Sequence, residues 1–482
     1  MHTMYKASLF MKTILFIERI ITMSNHHSLL DKKKIHFIGI GGVSMSGLAE
    51  IIFNKGYKVT GSDMKHSLTT SHLEALGLPI YYGHDASNIE EDVDLIVYTA
   101  AIHEDNPEIQ AAKMRGIHMM TRSVFLGLLM HHFEYPICIS GTHGKTTTTS
   151  MLSHALLSAN LDPTITVGGI LKAIKGNIHI GHSKYFLTEA CEYCDSFLDF
   201  FPHIGVILNI EADHLDYFKD IHQIRNSFQK FASKIPADGF LSINGTIPDL
   251  EDFTAPLSCK VETFGIGDFY DWTAKNISYN EKACASFDVY YGNEFVDHLT
   301  LHVPGEHNIL NCLAVCSVCN HLGIDLTLLN TGLEDFKGAD QRFEIKGEVN
   351  GITLVDDYAH HPTEISATLD VAMRYPHKNL YVVFQPHTYT RTKAFLDEFA
   401  KALSVCPNII LTDIYAAREK NPGDISALDI VNRIHNLGKE ALYIPDFNDI
   451  ATYLKENAKS GDVIITMGAG NVNQIASLLL NQ

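Results

Sequence analysis

Short apolar runs that end in glycines or polar clusters alternate along the chain with stretches whose apolar residues recur at helical spacing. This is the pattern of parallel α/β sheets. In a first block, Ile35-His36-Phe37-Ile38-Gly39-Ile40 reads as a strand running into Gly39, Gly41 and Gly42. A helix is expected from Ser46 to Asn54, a second strand from Tyr57 to Gly61 delivering Asp63, and a later strand from Leu95 to Thr99. In a second block, the apolar run Pro136 to Ile139 leads into Gly141-Thr142-His143-Gly144. Lys145 and Thr146 then open a helix carrying apolar Met151, Leu152, Ala155 and Leu156. Strands at Tyr185 to Glu189 and Ile204 to Asn209 follow, then β-rich segments (Ala285 to Tyr291, Phe295 to Val303) and a helix opened at Gly305-Glu306-His307. The third block alternates most regularly, with strands at Ile352 to Val355, Leu380 to Phe384, Ile409 to Leu411, Ala441 to Ile444 and Val463 to Thr466. The expected fold class is α/β with three domains, 34–131, 132–341 and 342–482, after an N-terminal extension, 1–33, read as disordered or a start-site artefact.

Composition narrows the function classes. With 37 Lys and Arg against 56 Asp and Glu, the formal charge of −19 argues against a nucleic-acid partner, whose phosphates need a basic face. No apolar run reaches the length of a membrane span. Glu18 and Arg19 break the apolar stretch near the start, so a signal peptide is not expected. Nine scattered cysteines suit reduced thiols and a cytoplasmic setting. Cys191/Cys194 and Cys316/Cys319 form C-x-x-C pairs too far apart for a zinc ribbon, and Cys312, Cys316 and Cys319 share one helix face. Trp272 and most of the 27 histidines read as structural.

Candidate chemistry concentrates at strand ends. The strand, the Gly141–Gly144 turn, Lys145-Thr146 and the helix together make a phosphate cradle of the short form G-x-x-G-K-T, with Ile139 where the longer pattern wants glycine. Lys145 suits the β- and γ-phosphates of ATP, and the Thr146 hydroxyl suits Mg²⁺. Glu189 ends one strand and His214 lies just beyond the next, and they are candidate metal ligands, or else a surface glutamate and a helix-capping Asp-His pair. His307, Asn308 and Asn311 present a polar helix face to a purine base or simply cap the helix. The Gly39 loop can hold a pyrophosphate through backbone N–H groups, but Ser44 takes the place of the third glycine, so NAD does not follow. In the third block four strand ends carry polar clusters on one rim, which reads as a binding face.

GIGGVSMSG, GTHGKTTTT, TEACEYCDSFL, NIEADHLDYF, GEHNILN, DQRFE, DDYAHHPTE, QPHTYTRT and DIYAARE occur in the order found in the Mur ligase family, which the chain resembles from about residue 34 onward. The resemblance implies a Rossmann-like UDP-binding domain, a central P-loop ATPase-like domain and a Rossmann-like C-terminal domain for the amino acid. It implies ATP on Gly141, Thr142, His143, Gly144, Lys145, Thr146, Thr147, His307, Asn308, Asn311, Arg342 and Asp357. Mg²⁺, two ions with Mn²⁺ as a substitute, would sit on Thr146, Glu189 and His214. Gly39, Gly41, Gly42, Ser44, Ser46 and Asp63 fall to the UDP-sugar region, Tyr358, His360, Arg391 and Glu419 to the amino-acid end, and Ser196 is a further substrate-binding candidate. Lys145, His360, Arg391 and Arg342 are the catalytic candidates. Thr388 stands where many members have arginine, and Arg225 to Gln229 holds no lysine for the carbamylated residue of several relatives.

The activity implied is ATP-dependent amide formation between L-alanine and the lactyl carboxylate of UDP-N-acetylmuramate, through an acyl phosphate, in peptidoglycan precursor synthesis. The alternatives are attachment of a whole tripeptide to the same nucleotide sugar and, from another class, nicotinamide-dependent oxidation. The protein is expected as a cytoplasmic monomer or homodimer without membrane insertion.

Overall fold

The computed structural model describes residues 34–99, 101–417 and 419–480; the expectation for 1–33 lies outside them. The chain divides into two compact units, Met1–Pro136 with Asp199–Phe201, and Ile137–Leu198 with Pro202–Gln482. The first unit holds a five-stranded sheet in the order Ile80–Tyr82, Lys58–Asp63, Lys34–Ile38, Leu95–Tyr98, His118–Thr121. Its pairings are parallel, and the strand order reverses at Lys34–Ile38. The glycine loop that follows this strand therefore lies at the crevice-forming switch point. Val43–Asn54 is the first helix, starting three residues before Ser46, because Gly42 takes the N-cap position.

The second unit contains two sheets. The larger has ten strands, in the order Glu294–Pro304, Cys284–Tyr291, Trp272–Tyr279, Lys260–Gly265, Phe240–Asn244, Ile204–Ile207, Tyr135–Ser140, Tyr185–Ala190, Thr164–Leu171, Gly176–His179. Its centre is parallel, and the β-rich stretch before residue 305 forms an antiparallel meander at one edge. Buried Trp272 anchors that edge by donating its indole N–H to Glu262 Oε2 at 2.7 Å, a structural role. Helix Lys145–Ser158 is buried along Thr147–Leu156 and packs on helices His307–His321 and Leu326–Asp335. Cys312, Cys316 and Cys319 are free, buried thiols of helix His307–His321, so their spacing does reflect packing.

The smaller sheet runs Glu344–Val349, Ile352–Asp357, Val463–Met467, Leu380–Phe384, Asn408–Leu411, Ala441–Tyr443, parallel except for its first edge strand. Alternate residues feed two cores. Val355, Val382 and Ile465 pack under helices Pro362–Arg374, Leu396–Leu403 and Ala427–Asn436 on one face. Leu354, Val383 and Ile464 pack under Phe447–Asn457 and Gln474–Leu480 on the other. A sheet covered on both faces leaves only its strand ends for ligands. No described helix is long and apolar enough to cross a membrane.

Candidate functional site

The cradle forms because two glycines take backbone angles that side chains resist. Gly141 has φ 144° and Gly144 has φ 86°. A Cβ on Gly144 would lie 2.8 Å from Asn311 Oδ1, so alanine there would be both strained and crowded. Gly144 is the N-cap of Lys145–Ser158, and no side chain caps that helix. The first-turn N–H groups and the helix dipole are thus left for an anion. Asn209 fixes the loop by accepting the His143 N–H on Oδ1 at 2.8 Å.

Lys145 Nζ donates to the carbonyls of Gly141 and Thr142 and to Glu192 Oε2, the last two at 3.0 Å. Burial works against its charge, but Glu192 outweighs it and holds the ammonium well above the ordinary lysine range. Thr146 Oγ1 donates to Glu189 Oε2 at 3.1 Å, and Glu189 Oε1 accepts the Gly168 N–H at 2.6 Å. Glu189 is therefore turned into the cradle and is not a loose surface residue. Glu192 Oε1 is buried without a hydrogen-bond partner, and His214 Nε2 lies 3.8 Å from it. His214 has φ 51°, a conformation uncommon outside glycine and concentrated at functional sites. A hydroxyl, two carboxylates, one with a bare buried oxygen, and an imidazole suit a hard divalent cation.

Beside the cradle a cavity of about 340 Å³ opens between the two sheets of the second unit. It brings together His143, His307, Asn308, Asn311, Arg342 and Asp357, next to Gly144 and Thr147, with Leu208, Phe264, Val303 and Val371 as apolar wall. His307 is pushed down to about 4 by burial, with Arg342 adding to the effect. Asp357 is pushed up to about 6 by burial, and its oxygens accept the N–H groups of Phe343 at 2.7 Å and Ala359 at 2.8 Å. Burial opposes charge on His143, but Glu364 and Glu211 outweigh it and hold the imidazole up to about 9.

A second recess of about 160 Å³ is lined by Asp213, His214, Tyr358, His360, His387 and Arg391. Arg391 places Nε and Nη2 on Asp213 Oδ1 at 3.0 and 2.8 Å. Asp213 is thus an ion-pair partner and caps no helix; despite burial, Arg391 and His214 hold it well below the carboxylate range. His360 is pushed down to about 4 by burial. Its Nδ1 meets the Tyr358 carbonyl at 2.9 Å, which can only accept, so the ring proton sits there and Nε2 is left basic. Glu419 accepts the N–H groups of Tyr389 at 2.7 Å and Thr390 at 3.0 Å, finishing the start of helix Tyr389–Ala394. Ser196 Oγ donates to the carbonyls of Cys191 and Tyr193, both at 2.9 Å.

The glycine loop of the first unit is built separately. Asp63 Oδ2 accepts the Gly41 N–H at 2.9 Å, and Ser46 turns its hydroxyl back to the Val43 carbonyl. Gly42 and Ser44 are exposed, and Gly39 is half-buried.

Glu192, Glu211, Glu364 and His361 were not singled out from sequence, and Asp213 entered only as half of a helix-capping pair, yet each contacts a residue that was or its neighbour. His361 Nε2 donates to the Ala212 carbonyl at 3.0 Å, and Thr363 Oγ1 donates to Glu211 Oε2 at 2.7 Å. His143, Glu211 and His361 place ligand atoms within 4.8 Å of one another. Both His361 nitrogens are already engaged, so this group reads as a hydrogen-bond network. The only available signal was the density of acids and histidines just beyond strand ends.

Three family models cover the chain: "Mur ligase family, catalytic domain" over residues 34–134, "Mur ligase middle domain" over 139–319 and "Mur ligase, glutamate ligase domain" over 341–470. The chain is 53% identical over 448 residues to a UDP-N-acetylmuramate–L-alanine ligase of Agathobacter rectalis, covering 93% of this chain and 98% of that one. The solved UDP-N-acetylmuramate-alanine ligase of Thermotoga maritima is similar at TM-score 0.78 and 30% identity, over 93% of this chain and 98% of that one. A murein peptide ligase of Psychrobacter arcticus is similar at TM-score 0.69 and 26% identity, with the same coverage. Matching models along the length of the chain, and half its residues shared with a full-length relative, leave one conclusion: the chain belongs to the Mur ligase family.

Proposed function

We propose that this protein joins L-alanine to the lactyl carboxylate of UDP-N-acetylmuramate at the expense of ATP, releasing ADP and phosphate for peptidoglycan synthesis. The observation that carries the reading is the cradle: a glycine turn, Lys145 and Thr146 at an uncapped helix start, joined by Glu189 and a bare Glu192 oxygen. The 53% identity over 98% of an L-alanine ligase's length supports the single amino acid over the peptide.

In this reading the triphosphate of ATP lies on the helix start and Lys145, with the adenosine in the cavity near His307, Asn308, Asn311 and Asp357. The oxygen-rich donor set of Thr146, Glu189 and Glu192, with His214, fits Mg²⁺, which when bound neutralises charge on the phosphates. The substrate carboxylate attacks the γ-phosphorus, its oxygen forming the new bond as ADP leaves. The nucleophile is already an anion, so repulsion is the main barrier, and Lys145 and Arg342 reduce it. The alanine amine then attacks the acyl carbon, and the tetrahedral adduct expels phosphate together with the former carboxylate oxygen. Arg391 and Tyr358 in the second recess receive the amino acid, and Nε2 of His360 takes the amine proton. Burial keeps that ring neutral before reaction, and nearby phosphate charge would raise its basicity. The Gly39–Gly42 loop and Asp63 hold the sugar nucleotide.

Phosphate release measured with ATP, Mg²⁺ and UDP-N-acetylmuramate across a panel of amino acids tests the reading. Strong stimulation by L-alanine is expected; stimulation by the tripeptide and not by alanine would replace it.

A further inference from the structure

Helix Pro362–Arg374 starts with His361 as N-cap and Glu364 in its first turn. Glu364 Oε2 accepts the His361 N–H at 3.3 Å, which closes a capping box. A cap needs no more than that, and glutamine serves it as well as glutamate. Glu364 goes further. Its Oε1 lies 3.1 Å from Nδ1 of His143 in the glycine loop of the cradle, and 3.8 Å from Arg342 Nη1. Its Oε2 also accepts the His360 N–H at 3.0 Å. The carboxylate is only 12% exposed, unusual for a charged group whose sole duty is a helix end. It therefore touches three groups that face the nucleotide cavity or the second recess, one from the larger sheet and two from the smaller.

We propose that Glu364 is a positioning residue for ATP: by holding His143 from the smaller sheet's side, it makes the shape of the glycine loop depend on the docking of the two sheets. The inference rests on the ATP reading of the cavity. The same helix start supplies the His361–Ala212 and Thr363–Glu211 contacts and lays the His361 ring 4.9 Å from that of His143, and Glu364 adds the carboxylate that bonds to the cradle's His143. Loss of its charge leaves the cap in place, frees the loop and makes ATP restore the docking when it binds.

The test is calorimetric titration of ATP with Mg²⁺ into the full-length protein, Glu364→Gln, His143→Gln and the double variant, with thermal melting of each. Glu364→Gln is expected to keep its melting temperature within a few degrees and to bind ATP about tenfold more weakly. The double variant is expected to bind no more weakly than His143→Gln alone, because one interaction has been removed twice. Wild-type affinity in Glu364→Gln, or penalties that simply add in the double variant, overturns the proposal while leaving the ATP site intact. A wild-type protein that binds no ATP overturns the cavity reading and this inference with it.

Discussion

Two glycine loops follow parallel strands in this chain, and they are finished in different ways. The first, Gly39–Gly42, leads into helix Val43–Asn54 and is closed locally, by Asp63 on Gly41 and by the Ser62 carbonyl on Gly39 at 2.8 Å. The second, Gly141–Gly144, leads into helix Lys145–Ser158 and is closed by groups from far along the chain. Glu192 is 47 residues from Lys145, and Glu364 is 221 residues from His143. Neither helix start carries a side-chain cap, so both offer backbone N–H groups to an anion. A glycine loop alone therefore says only that phosphate fits. In the proposed reading the lysine, the candidate metal donors and the partners from other strand ends make one loop a place for phosphoryl transfer and leave the other suited to holding a ligand.

The largest expected effect removes the cation that separates the two loops. Lys145→Ala should lower alanine-dependent ADP release by a factor on the order of 10³, the scale for losing a main electrostatic stabiliser of a transferring group. Turnover near wild type would mean that the second loop is as passive as the first. Next comes Asp213→Ala, which strands Arg391 as a buried, unpaired charge; the side chains are 7% and 9% exposed. Denaturant unfolding should show a loss of about 3 kcal/mol, and an unchanged midpoint would make this long-range pair dispensable. Asp63→Ala opens the locally closed loop, and KM for UDP-N-acetylmuramate should rise about tenfold, the loss of one charged hydrogen bond. A matching rise in KM for ATP would erase the contrast.

The smallest effect is on pH dependence. His143 is held up to about 9 from an ordinary 6.5, so its contribution is fully present below 6.5 and lost as pH rises through 9. In the first unit, burial works against ionised Glu108, but hydrogen bonds from His36, Ser62, Asn88 and His84 hold it below its ordinary range, so its contribution is lost in acid instead. The melting temperature should fall between pH 6.5 and 9, and His143→Gln should flatten that slope. Equal slopes would assign the alkaline loss elsewhere.

What was legible in the sequence follows from the same contrast. Strands, helices and the cradle's own residues show in local periodicity and glycine placement, and they came through with shifts of a few residues at element ends. Helix Val43–Asn54 starts early because Gly42 caps it, and strand Lys58–Asp63 runs on to Asp63 because its register with Ile80–Tyr82 continues that far. The partners were hidden. Asp213 stands 178 residues from Arg391 and Glu211 stands 152 from Thr363, so nothing local to either residue marks the pair. The burial that shifts His307, His360 and Asp357 is equally a product of the packed sheets.

The division of labour between the loops is open to one direct measurement. ATP with Mg²⁺ and UDP-N-acetylmuramate are titrated separately into wild type and Lys145→Ala, and heats of binding are read. Wild type should bind both, and Lys145→Ala should lose ATP while keeping the sugar nucleotide at wild-type affinity. ATP binding that survives the substitution undiminished would contradict the assignment of the triphosphate to the second loop.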